Sequence, residues 1–230
     1  MPSTEKIAYF MACACCSAVS IALLGFAMAQ TWAQTRLDCT ASEIGIFNGT
    51  GVITWDLFTG TFDRDFCPLI ATSFKFKVFP ELKDSGAPLI LHTLVVFLLS
   101  LCLLCSAGSI LIALYNSISN PYETYMGPVG VYVCSSLGAC LSVLVLILFA
   151  VAVSATDMAE SVVLSFADGA AVELRNRRAA FWLGYFLVIP YTLLSLGSIL
   201  AIYLYDHAAY KHRREQQRPT EDAPKEIMMY

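Results

Sequence analysis

Four stretches of this chain, 7–29, 89–114, 129–154 and 179–205, contain no Asp, Glu, Lys or Arg. An apolar run of about 18 or more residues can cross a hydrocarbon core of about 30 Å at roughly 1.5 Å of helix rise per residue. In lipid every backbone N–H and C=O must find its partner within the protein, so each run is predicted to be a helix. The predicted fold is an all-α transmembrane four-helix bundle, a single four-span membrane domain covering 1–230, and its first partner is the lipid bilayer. Composition agrees. The chain is 57% hydrophobic and 14% charged, whereas soluble domains carry about a quarter charged residues. A net charge of −4 with 14 basic residues gives no basic footprint, so no nucleic-acid partner is expected.

The first run has a rival assignment as a signal peptide, because Lys6 flanks it and Ala27-Met28-Ala29 fits a small-residue cleavage pattern. Its apolar core exceeds the usual length of about 7–15 residues, which favours a retained span. Charge bias orients the chain weakly. Lys211, Arg213, Arg214, Arg218 and Lys225 favour a cytoplasmic tail, while Arg175, Arg177 and Arg178 on the other side oppose it. The triplet Asn48-Gly49-Thr50 breaks the tie, since it is an acceptor pattern for N-glycosylation. Extracellular loops are therefore predicted at 30–88 and 155–178, with a cytoplasmic hinge at 115–128, a cytoplasmic tail at 206–230 and both termini cytoplasmic, in the plasma membrane.

Seven cysteines lie within the predicted spans and read as small apolar packing residues. Cys39 and Cys67 are alone together in the first outer loop. An oxidising compartment favours a disulfide between them over two free thiols, and closing that loop would stabilise by about 3 kcal/mol in the entropic account. The same loop has strand character. Ser73–Phe79 alternates Phe74, Phe76 and Val78 with lysines, and 44–47 and 51–55 are further short candidates. A small antiparallel extracellular β-sheet in the first outer loop is predicted.

Little here points to chemistry. Cys102-Leu-Leu-Cys105 is a C-x-x-C, but Cys102 lies about 20 Å below the outer end of its span, out of reach of loop thiols. His92, His207 and His212 do not cluster as metal ligands. No catalytic residue, metal ligand, cofactor or small-molecule substrate is expected. Transport sites usually need ionisable groups or broken helices at mid-membrane depth, and only Pro190 offers a kink. Small residues recur every four positions at Ala12, Cys16 and Ser20, at Ser135 and Ala139, and at Gly138 and Ser142, a spacing that lets helices approach closely. The terminus Glu226-Ile-Met-Met-Tyr230 places hydrophobic Met228 and Tyr230 where a PDZ-type domain can add the tail as a strand.

One loop is unusually particular. The hinge Tyr115-Asn-Ser-Ile-Ser-Asn-Pro-Tyr-Glu-Thr124 ends one helix at Asn-Pro-Tyr, and Gly127-Pro-Val-Gly-Val-Tyr132 opens the next with proline near its first turn. Together with Met1-Pro-Ser, Asp56-Leu-Phe-Thr-Gly60, Phe79-Pro-Glu-Leu82 and the terminal Met-Tyr, this wording resembles the clarin family of claudin-like four-span proteins. The hinge and Arg218-Pro-Thr-Glu-Asp-Ala-Pro-Lys225 are similar to the third paralogue of that family in particular. Asp56 departs from the pattern, which has glycine there. The resemblance implies a non-enzymatic scaffold or organiser of membrane contacts and of actin-linked or synaptic specialisations, in sensory cells serving hearing and vision. Its implied partners are membrane or cytoskeletal-adaptor proteins. The alternatives are an auxiliary subunit of an ion channel or receptor, and a membrane thiol oxidoreductase.

Overall fold

The computed structural model describes residues 4–41, 47–67, 72–118, 127–167 and 172–216. The elements run α1 (Thr4–Met28), β1 (Ala33–Ala41), β2 (Phe47–Trp55), β3 (Thr59–Asp65), β4 (Thr72–Lys77), α2 (Val78–Glu81), α3 (Ala87–Ile118), α4 (Gly127–Ala155), α5 (Met158–Ser165), β5 (Val172–Phe181), α6 (Leu183–Phe186) and α7 (Val188–Gln216). Four helical stretches are long and apolar enough to cross a membrane: Lys6–Met28, Ala87–Ile118, Gly127–Ala155 and Leu183–Ala208. They pack as a four-helix bundle, α1 against α3 and α7, and α4 against α3 and α7.

Polar side chains lie on the inside of this bundle. One serine from each long helix meets at its centre: Ser17 bonds Ser109 at 3.2 Å and Ser198 at 3.4 Å, and Ser109 bonds Ser135 at 3.3 Å. Tyr191 donates its hydroxyl to the Cys102 carbonyl at 3.1 Å and pairs with Ser106 at 3.0 Å. Gly138 leaves the room that this phenol needs, since a Cβ there would lie 2.9 Å from the Tyr191 oxygen. Interhelical bonds of this sort contribute on average about 0.6 kcal/mol each in a membrane bundle, so their main effect is to fix the rotation of each helix.

The small-residue stripes hold on α4, where Ser135, Gly138, Ala139 and Ser142 are all buried. On α1 the predicted stripe holds at Ser20, which is buried, and fails at Ala12 and Cys16. Ala12 is exposed, and the buried line is Cys13, Ser17, Ser20, Leu24 and Ala27. Apolar residues surround this helix on every side, so composition alone does not distinguish lipid-facing from helix-facing positions.

Beyond one end of the bundle lies a single five-stranded sheet in the order β4-β3-β2-β1-β5, antiparallel at every pairing. The predicted sheet is present and larger than expected. Strands β1 and β3 join it, and β5 comes from the second loop, so both loops build one sheet. This moves the start of the fourth span. Residues 179–181, expected within it, are the end of β5, where Ala179, Ala180 and Phe181 pair with Thr35, Gln34 and Ala33. The predicted strand at 73–79 stops at Lys77, and Val78 begins the single turn of α2. Of the candidate at 44–47, only Phe47 lies within the described residues, as the start of β2.

Proline and glycine act largely where the sequence places them. Gly127 and Pro128 open α4, while residues 119–126 of the hinge lie outside the described residues. Pro190 sits in the first turn of α7, and the break between α6 and α7 falls at Leu187. A proline there can offer no N–H to the carbonyl four residues back, so the helix is interrupted one turn before it.

Candidate interaction surface

The sheet has two unlike faces. Along β1, Ala33, Thr35, Leu37 and Cys39 are buried, while Gln34, Arg36 and Asp38 are not, the alternation of a half-buried strand. Buried Trp32, Trp55, Phe62, Phe76 and Leu57 continue without a gap into Leu24, Val95, Leu99, Val145 and Phe149 of the helices. Sheet and bundle therefore share one core, and the sheet is held at a fixed orientation on the helix ends.

Trp32 is the joint. It is fully buried, its indole N–H donates to the Ala27 carbonyl at 2.8 Å, and its ring meets Phe149 edge-on at 5.0 Å. Its backbone N–H bonds the Trp55 carbonyl at 2.8 Å and its carbonyl accepts from Trp182 N–H at 2.9 Å, so one residue links α1, β2 and the start of α6. Gly184 lies against it so closely that a Cβ would stand 2.5 Å from the indole Cδ1.

Cys39 and Cys67 form a disulfide with a Cα–Cα distance of 5.3 Å, and both residues are buried. It ties the far end of β1 to the chain just after β3. Phe66 reaches that position through a left-handed backbone, φ 52°. Gly49 provides the space, since a Cβ there would lie 2.0 Å from the Phe66 carbonyl oxygen. The other seven cysteines are free, Cys102 and Cys105 among them. Asn48 lies on β2 beside Gly49. Met228 and Tyr230 lie outside the described residues.

Asp56, the departure from the family pattern, has a local task. Its carboxylate accepts from Thr31 at 3.0 Å and from Thr59 at 3.1 Å, closing the β2–β3 turn against the start of β1. Gly60, the last residue of the same run, lies under the Phe76 ring, where a Cβ would meet ring carbon at 2.4 Å. His92 is fully buried, its Nε2 2.8 Å from the Leu57 carbonyl.

Arg177 has a structural role that its place in a run of loop arginines does not reveal. From β5 its guanidinium donates to the carbonyls of Thr156 at 2.7 Å and Ser154 at 2.6 Å, satisfying the C-terminal end of α4. It also stands 3.8 Å from Glu160 on α5. Partial burial raises the Glu160 carboxyl above its ordinary range, and the bond to and charge of neighbouring Asp157 add to this, while Arg177 acts in the opposite direction. The available signal was the alternation Val172-Glu-Leu-Arg175, a period-two pattern just before the fourth span.

Four apolar helices bearing a disulfide-stapled antiparallel sheet define a multi-pass integral membrane protein. A family model described as Clarin-2-like matches residues 5–184. The chain is 31% identical over 234 residues to Clarin-3 of Mus musculus, covering 100% of both chains. It is 27% identical over 231 residues to Clarin-3 of Homo sapiens, again over 100% of both. Clarin-1 of Homo sapiens is 26% identical over 222 residues, 92% of this chain and 94% of that one. The chain belongs to the clarin family.

Proposed function

We propose that this clarin-family chain is a non-catalytic organiser of membrane contacts, with its sheet facing out of the cell as the contact surface. The observation that carries this is the sheet itself: both loops build it, a disulfide staples it, and it shares a core with the bundle. A rigid outward platform suits recognition better than turnover. The disulfide supports outward placement, because such bonds persist in oxidising compartments. With the sheet outside, the proposal has both termini and the hinge in the cytoplasm, the protein in the plasma membrane, and a glycan on Asn48. The tail engages membrane or cytoskeletal adaptors, a PDZ-type domain among them, through Met228 and Tyr230. The sensory, actin-linked and synaptic roles implied by the family resemblance belong to the same proposal.

Proximity labelling from the C-terminal tail in epithelial cells tests it. The expected result is a set of cytoplasmic adaptor and membrane proteins, with the adaptor fraction lost when Tyr230 is deleted. Recovery of lumenal proteins would reverse the topology. A labelled set matching that of an unrelated four-span control would end the organiser proposal.

A further inference from the structure

The outward face of the sheet holds one arrangement that neither folding nor membrane insertion requires. Arg36 on β1 and Arg178 on β5 stand directly opposite each other. Side chains so placed have Cβ atoms about 5 Å apart, and like charges there repel. Both arginines are exposed, and among the described residues neither forms an ion pair. Arg64, by contrast, bonds Thr72 and covers the Phe74 ring, and Arg177 caps α4.

The pair borders a bulge. Arg178 opposes Arg36 while Arg175 opposes Asp38, so β5 carries one residue more than β1 between these points. Asn176, in the bulge, has a left-handed backbone with φ 53°, and its amide donates to the Asp38 carboxylate at 2.9 Å. Bulges re-aim side chains and recur beside binding sites. Here an open pocket of about 340 Å³ results, lined by Arg36 and Arg178 together with Asp38, Thr50, Val52 and Asn176.

We propose that this pocket binds a terminal acidic sugar of a glycan, a ring bearing one carboxylate. The carboxylate sits between Arg36 and Arg178, where one negative charge removes the repulsion between two positive ones and accepts charge-assisted hydrogen bonds from both. Asp38 sets the rest of the specificity. It has acceptor capacity beyond its bond from Asn176, so it takes ring hydroxyls, as Thr50 does, and it repels a second negative group. A polyanion is therefore disfavoured, and an acidic peptide lacks the hydroxyls that Asp38 and Thr50 would pair. Val52 offers the apolar contact for a ring face. The volume falls at the small end of ligand pockets.

Meeting such a glycan on a cell rests on the outward placement proposed above, whereas binding by purified protein does not, so the two proposals fail separately. The test is saturation-transfer NMR on the full-length protein in detergent, after enzymatic removal of any N-glycan. The probes are sialyllactose, lactose as its neutral counterpart, and acetyl-aspartate amide as a carboxylate without a sugar ring. The expected result is transfer to sialyllactose and not to lactose, with binding weakened about tenfold or more in Arg36→Gln and in Arg178→Gln. Both variants are expected to keep or raise the thermal midpoint, since each removes a like-charge contact. Equal transfer to lactose, equal transfer to the aspartate probe, or unchanged sialyllactose binding in both variants would overturn the proposal. A lowered midpoint in both variants would assign the arginines to folding and overturn it too.

Discussion

Replacing Cys39 with Ser is expected to cost about 2–5 kcal/mol of stability and to leave Cys67 as a free thiol. Two local effects act on top of the loop entropy, in opposite directions. Phe66, next to the bridged Cys67, holds a left-handed backbone that a bulky residue adopts at a cost of about 1–2 kcal/mol, and relaxation of that strain would offset part of the loss. Both sulfurs are buried in the core shared with the bundle, so a hydroxyl at 39 also enters an apolar site. Thermal unfolding of the purified protein in detergent should show the drop. Maleimide should label Cys67 in the variant and neither Cys39 nor Cys67 in the unfolded, unreduced parent. Labelling of both loop thiols in that parent would remove the bridge from the account.

Trp32→Ala is expected to cost about 3–5 kcal/mol for the ring, with roughly 1 kcal/mol more for the lost bond to the Ala27 carbonyl. The site cannot collapse easily. Gly184 and Phe149 are both packed on the indole, and each is anchored in a different helix. The cavity would open where the sheet meets the bundle, so the two should lose their cooperativity as well as their stability. Trp182→Ala is the matched control, since that residue is 48% exposed. Thermal unfolding followed by tryptophan fluorescence should place the Trp32 variant far below the Trp182 variant. Equal shifts in the two would show that Trp32 is not the joint.

The spans were the legible part of this sequence because their constraint is one of length and charge, which any 18-residue window reports. Gly127-Pro128 was equally legible as a helix start, since both residues have strong local preferences. The staple was legible because Cys39 and Cys67 were the two cysteines outside the spans. Strands β1 and β3 were harder. Arg36, Asp38, Asp63 and Asp65 make them look like polar loop, and their inward residues reach the core only when the partner strands are in place. The fifth strand was hidden by a different competition. Ala179, Ala180 and Phe181 extend the apolar run of the next helix, so hydropathy assigned them to lipid while pairing with β1 assigned them to the sheet. The α1 packing face was legible only at Ser20. Ala12 and Cys13 are equally acceptable to lipid and to a neighbouring helix, and the choice was made by Ser17 finding Ser109 and Ser198 across the bundle. The groove between Arg36 and Arg178 depends on that same long-range pairing of β1 with β5, so no local pattern could announce it.

Residues from both loops form one sheet through β1 and β5. Paired cysteines test it directly. Gln34 stands opposite Ala180 in that pairing, and Thr54 stands opposite Gln34 on its other side, on β2. A disulfide needs Cα atoms no more than about 7 Å apart, whereas strands two places apart are separated by roughly 9–10 Å. Gln34→Cys with Ala180→Cys is expected to crosslink in the full-length protein, seen as a joined peptide by mass spectrometry without reduction. Thr54→Cys with Ala180→Cys is expected not to crosslink. A crosslink in the second pair and none in the first would contradict the sheet order on which the account rests.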